Sequence, residues 1–135
     1  MHKFINDEKG SMAEADVTTP VIILLMVAIV NLGMLMYVNQ AAENAANYGA
    51  RRGSVAQNNA AAVAYAAANE ASQGALIGEY EVTITAPGGI VGSTMAVQVD
   101  YTVPNLLRGL SGLFPGLPSG EFSGNVEATF RQEGW

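Results

Sequence analysis

The chain has no cysteine and a single histidine, His2, among its 135 residues. That excludes a disulfide framework, a thiolate nucleophile and a thiolate metal site, and a lone terminal histidine cannot build a zinc shell. Charge is scarce and unbalanced. Lys and Arg number 6 against 12 Asp and Glu, charged residues are 13% of the chain, and the formal net charge is -6. With a pI near 4.5 there is no basic field to hold a nucleic-acid backbone by counterion release, so nucleic acid is excluded as a partner. No phosphate loop, dinucleotide fingerprint, metal motif or catalytic triad occurs, and Gly88-Gly89 reads as a turn. The expectation is a protein with no cofactor and no metal that is not an enzyme. Glu79 and Glu81 share one strand face, where their ordinary role is solubility.

What is present is apolar surface: half the residues are hydrophobic and mean hydropathy is +0.22. Much of it is concentrated. No charge occurs from Val17 to Ala42, and Val21 to Val38 reads VIILLMVAIVNLGMLMYV. A run of about 18 to 20 apolar residues at ~1.5 Å rise matches a hydrocarbon core of roughly 30 Å, so this is read as one membrane span. The alanine-rich residues that follow keep helix propensity high, so span and stalk are read as one rod to about Arg52. Ser11-Met12-Ala13-Glu14 fits a capping box and would start that helix, and Pro20 would bend it or melt a turn near Asp16 to Pro20. Lys3 and Lys9 before the span balance Arg51 and Arg52 after it, so charge does not set the orientation.

Beyond Gly53, Ser54-Val55-Ala56-Gln57 reads as a second capping box opening an alanine-rich helix to Gln73, stopped by a left-handed Gly74. Three segments with period-two alternation follow, 79–86, 95–103 and 121–131. Tyr80, Val82, Ile84 and Ala86 form the dry face of the first, Met95, Val97, Val99, Tyr101 and Val103 that of the second. Phe122, Val126, Ala128 and Phe130 form that of the third. The fold class is therefore α+β: a long N-terminal transmembrane or spine helix, then a second, Ala-rich helix packed on a small three-stranded antiparallel sheet. The domain reading is a leader-like segment 1–10, a membrane and assembly helix 11–52, and a small α+β head 53–135. Between the last two strands, Leu106, Leu110, Leu113 and Leu117 recur at helical spacing with Phe114 beside them. They either form a contact surface for a neighbouring subunit or a membrane, or cap the open end of a thin core.

Glu14 also has two readings. It completes a capping box in an exposed first turn, or it meets a cation when rods pack side by side, because an unpaired buried carboxylate costs several kcal/mol. A neighbouring chain's free amino terminus would supply that cation.

Several residues in order resemble one family. Lys9-Gly10-Ser11, Glu14 six residues before Pro20, an apolar run containing Gly33, then Tyr37 to Ala46 (YVNQAAENAA) and Gly49-Ala50-Arg51 resemble the TadE-like pseudopilins of tight-adherence pilus systems. The ending Ala128 to Glu133 (ATFRQE) is similar to that family's final strand. The resemblance implies a prepilin leader ending at Gly10, cut by a prepilin peptidase to leave Ser11 as the new amino terminus, with Glu14 as the acidic residue that pairs with an adjacent subunit. It implies a structural subunit of a type IV pilus-like filament, held in the inner membrane and then at the cell surface. Its partners would be further copies or other pilin-like subunits, assembling through Val21, Leu24, Leu25, Leu32 and Leu35 with Pro20 and Gly33. The alternative is a non-polymerising single-span accessory protein of a pilus or secretion complex. The subunit contact could extend to Leu106, Leu110, Leu113, Phe114 and Leu117.

Overall fold

A computed structural model of the chain describes residues 2–134, with side chains described from Glu14 onward. In order it contains helix α1 (His2–Ser54), helix α2 (Ala60–Gln73), strands β1 (Glu79–Pro87) and β2 (Thr94–Val103), a short 3-10 helix η1 (Leu106–Leu110) and strand β3 (Phe122–Arg131). The α+β class and the three-stranded antiparallel sheet are as expected from the alternation. The chain divides into two compact units. One holds the part of α1 up to Leu32 together with Asn105–Gly120, and the other holds Gly33–Pro104 and the segment from Glu121 onward.

In the second unit the sheet order is β1-β2-β3, antiparallel throughout. The alternation sets the register, since side chains on one face must meet apolar partners on the next strand. Val82 and Ile84 pair with Val99 and Val97, which pair in turn with Val126 and Ala128. Met95, Val97, Val99 and Val103 on the central strand are fully buried. A bulge between Ile84 and Ala86 shifts the register of β1, whose pairing resumes at Ala86 with Ala96 and Pro87 with Met95. Phe130 departs from the expected dry face: on the edge strand β3 it is exposed, and two residues on Gln132 is buried instead.

The cover of this sheet corrects the sequence reading. A single Ala-rich helix was expected there, yet the core also includes Val38, Ala42, Ala45, Ala46 and Ala50 from the C-terminal half of α1, beside Ala60, Ala64 and Ala68 of α2. The rod is a second layer of the core. Its small side chains let α1 and α2 approach closely: a Cβ placed on Gly49 would lie 2.6 Å from Ala68 Cβ and 2.8 Å from the Ala64 carbonyl oxygen. A Cβ on Gly53 would lie 2.7 Å from Ala64 Cβ.

Helix boundaries differ for identifiable reasons. α1 is continuous through Ser11, so no helix starts at the Ser11 to Glu14 box; a lone Gly10 costs a helix only about 1 kcal/mol. No turn is melted at Pro20, which stands inside α1. Ser54 does not cap α2. It closes α1, its hydroxyl donating back to the Arg51 carbonyl at 2.9 Å. α2 begins after Asn59, whose left-handed backbone (φ 52, ψ 46) turns the chain. Gly74 is right-handed at φ -73, and the helix end is closed by Ala75 N–H donating to the Ser72 carbonyl at 3.1 Å.

Gln132 locks the C-terminal end of this unit. Its Nε2 donates to the Ala56 carbonyl at 3.0 Å, its Oε1 accepts from Gly89 N–H at 3.2 Å, and its backbone N–H donates to Ser93 at 2.8 Å. The α1–α2 link, the β1–β2 turn and the last strand thus meet on one side chain. At the other end, Tyr101 Oη donates to Asn39 Oδ1 at 2.9 Å, tying the central strand to α1. Tyr80 Oη donates to the Ile77 carbonyl at 2.8 Å; burial pushes this hydroxyl's pKa up, and neighbouring Tyr37 adds to the shift.

Candidate apolar assembly and membrane surface

Between Glu14 and Leu32 much of the helix surface is exposed, Val17, Val21, Ile22, Leu25, Ile29 (69% exposed) and Leu32 among it, while Pro20, Leu24, Val27 and Ala28 are half-buried and Asn31 is buried. The 18-residue apolar window of α1 has mean hydropathy 2.7 and is 11% buried. A helix this apolar and this exposed is suited to lipid or to a bundle of like helices. This one helix is long and apolar enough to span a membrane.

The candidate assembly residues fall into two groups. Glu14, Val21, Leu25 and Leu32 are exposed and Pro20 and Leu24 half-buried, all in the first unit. In the second unit Gly33 is exposed, and a Cβ there would meet nothing within 4 Å, so its smallness serves no contact within the chain. Leu35 packs with Met34 against the sheet core of its own chain, which removes it from the free surface. Gly10 and Ser11 lie outside the residues whose side chains are described. Val38, the last residue of the expected span, is fully buried in the head core, while Met36 and Tyr37 just before it are exposed.

The leucine-rich segment after β2 belongs to the first unit. Leu106, Gly109 and Leu110 line a groove with Met26, Val27 and Val30 of α1. Leu106 and Leu113 are exposed; Leu110, Phe114 and Leu117 are half-buried. The segment is fastened by Asn31, 3% exposed, whose Oδ1 accepts from Leu106 N–H at 2.6 Å. Sequence reasoning passed over Asn31. The available signal was an amide side chain inside an otherwise apolar span, a placement that calls for a partner.

Nothing among curated proteins or solved structures matches the chain. Residues 10–51 match the model of the TadE-like protein family, and this match together with the apolar helix fits a membrane protein associated with a tight-adherence pilus.

Proposed function

We propose that the protein is a structural, pilin-like subunit that assembles through α1 and carries out no turnover chemistry. The observation that carries this reading is the largely exposed apolar stretch from Val17 to Leu32, which lies within the family match. A helix this apolar stays in lipid until an equivalent surface replaces the lipid, and neighbouring copies of the same helix supply one. In this reading a peptidase cuts after Gly10, the amino group of Ser11 becomes a cation, and Glu14 of an adjacent subunit pairs with it. The exposed position of Glu14 at the head of the apolar stretch leaves its carboxylate available for such a contact. Val21, Leu25 and Leu32 then form the packing surface.

The test is the fate of the protein in its native cell. Filaments sheared from the surface and viewed by electron microscopy should contain the chain, and Ala28→Asp should remove it from them. An intramembrane carboxylate costs about 2.5 to 3.5 kcal/mol on insertion scales. Undiminished filament incorporation of that variant would refute assembly through the apolar helix. A wild-type chain confined to dispersed membrane particles would instead favour the non-polymerising accessory role.

A further inference from the structure

Strand β3 is an edge strand, and no strand lies on its outer side. Gln132, which follows it, fixes which way its backbone groups point. The Gln132 N–H donates to the Ser93 carbonyl at 2.8 Å and the Gln132 carbonyl accepts from Gly92 N–H at 3.0 Å, both on the β2 side. Backbone groups alternate along an antiparallel strand, so the odd-numbered residues from Ser123 to Arg131 turn theirs outward. Such an open ladder templates a further strand unless something blunts it. The opposite edge is blunted: β1 carries the bulge between Ile84 and Ala86 and ends in Pro87. β3 (FSGNVEATFR) has no proline and no lysine, its register with β2 is unbroken, and Phe130 stands 37% exposed on it.

The residues of β3 select what fits this edge. Laid antiparallel to a second copy of itself with Val126 opposite Val126, the strand brings no like charges together and sets its one cation against a carboxylate. Glu121 falls opposite Arg131, Phe122 opposite Phe130, and the Asn125 amide opposite the Glu127 carboxylate. Odd residues then meet odd ones, which hold the outward backbone groups, while Phe122, Val126 and Phe130 take the non-hydrogen-bonded sites where side chains approach most closely. The apolar face of one sheet also continues that of the other. Centring the pair on Glu127 would set two carboxylates face to face, and centring it on Asn125 would leave Arg131 opposite Ser119. Glu121 and Arg131 are exposed and have no ion pair among the described residues. We propose that β3 binds β3 of a second copy in this register, joining two three-stranded sheets edge to edge.

The pairing also sets how the copies meet. α1 travels alongside β3, from Asn39, bonded to the Tyr101 that faces Gly124, to Ser54, whose carbonyl accepts from Glu133 N–H at 2.9 Å. An antiparallel β3 pair therefore runs the C-terminal parts of the two α1 helices in opposite directions. This is a head-to-head contact, distinct from that between neighbours in a bundle of parallel helices, and it does not depend on assembly through α1.

Disulfide trapping tests this on the full chain, which has no native cysteine. Val126→Cys, purified in detergent micelles and mildly oxidised, should give a covalent dimer on a non-reducing gel, because the two copies of residue 126 face each other. Adding Arg131→Glu sets Glu121 against a carboxylate at both ends of the pair and should lower the dimer yield by roughly tenfold. Adding Glu121→Arg to that variant exchanges the two charges and should restore the yield, which also excludes misfolding as the cause of the loss. Absence of a Val126→Cys dimer overturns the pairing. A dimer whose yield Arg131→Glu leaves unchanged overturns it too, and assigns association to α1. A double charge exchange that stays as weak as Arg131→Glu alone overturns the register.

Discussion

The contact between α1 and α2 makes a sharp demand on Gly49. A methyl group there would sit 2.6 Å from Ala68 Cβ, 2.8 Å from the Ala64 carbonyl oxygen and 3.2 Å from Ala68 Cα. Carbon atoms rest at roughly 3.5 to 4.0 Å, so the two helices must part by about 1 Å to admit it. Two of the three obstructing atoms are backbone, which no rotamer change can move. Overpacking of this kind costs about 1 to 3 kcal/mol, against a gain near 1 kcal/mol from replacing a helical glycine by alanine. Gly49→Ala should therefore destabilise, by up to about 2 kcal/mol. Gly33→Ala, in the same helix with nothing within 4 Å, gains the propensity without the clash. Thermal unfolding of the full chain in detergent micelles, followed by circular dichroism, should place Gly49→Ala below and Gly33→Ala at or above wild type. A double-mutant cycle adds a check: Ala68→Gly removes the nearest atom, and its own cost should shrink in the Gly49→Ala background. Gly49→Ala melting at or above the wild-type temperature would show that the helices do not meet in this way.

Three further outcomes follow from named contacts. Gln132→Ala leaves the Ala56 carbonyl and the Gly89 amide without their partner and should cost about 1 to 3 kcal/mol; equal denaturant midpoints for variant and wild type would contradict the clamp. Tyr80 has a folded-state pKa raised above its ordinary 10.0 by burial and by Tyr37, so the unfolded chain loses its proton first. The stability that Tyr80 contributes is then complete below pH 10.0 and falls as pH rises through the folded value. Tyr80→Phe should flatten this alkaline slope in melting experiments, and an unchanged slope would exclude the group. Glu14→Gln keeps helix content and membrane insertion but should lower filament yield, whereas unchanged yield would return Glu14 to a role in its own helix.

The strands were the most legible part of the chain. Period-two alternation with β-branched residues located β1, β2 and β3 within a residue or two, because a one-residue slip would turn Val97 and Val99 out of the core. The helices were harder for a physical reason. When the core-facing residues are Ala42, Ala45, Ala46 and Ala50 in a helix that is alanine-rich on other sides too, burial leaves no amphipathic pattern to read. Ser54 to Gln57 has the letters of a capping box, yet α1 runs on through Gly53 to Ser54, with Ala64 of α2 packed close against Gly53. Tertiary contact overrode a local signal. The apolar helix was legible from length and hydropathy, whereas the burial of Val38 in the head core was not, since only the fold reveals it. The loop at 105–120 announced its greasiness but not its place, which depends on one hydrogen bond to Asn31.

The pilin-like reading turns on a single peptide bond. Intact-mass measurement of the protein taken from its native cell examines that bond directly. The account predicts a mass lacking Met1 to Gly10, which would leave Ser11 with a free amino group for a neighbour's Glu14 to meet. A full-length mass would contradict it, because an uncut chain offers no such cation at the head of the apolar stretch.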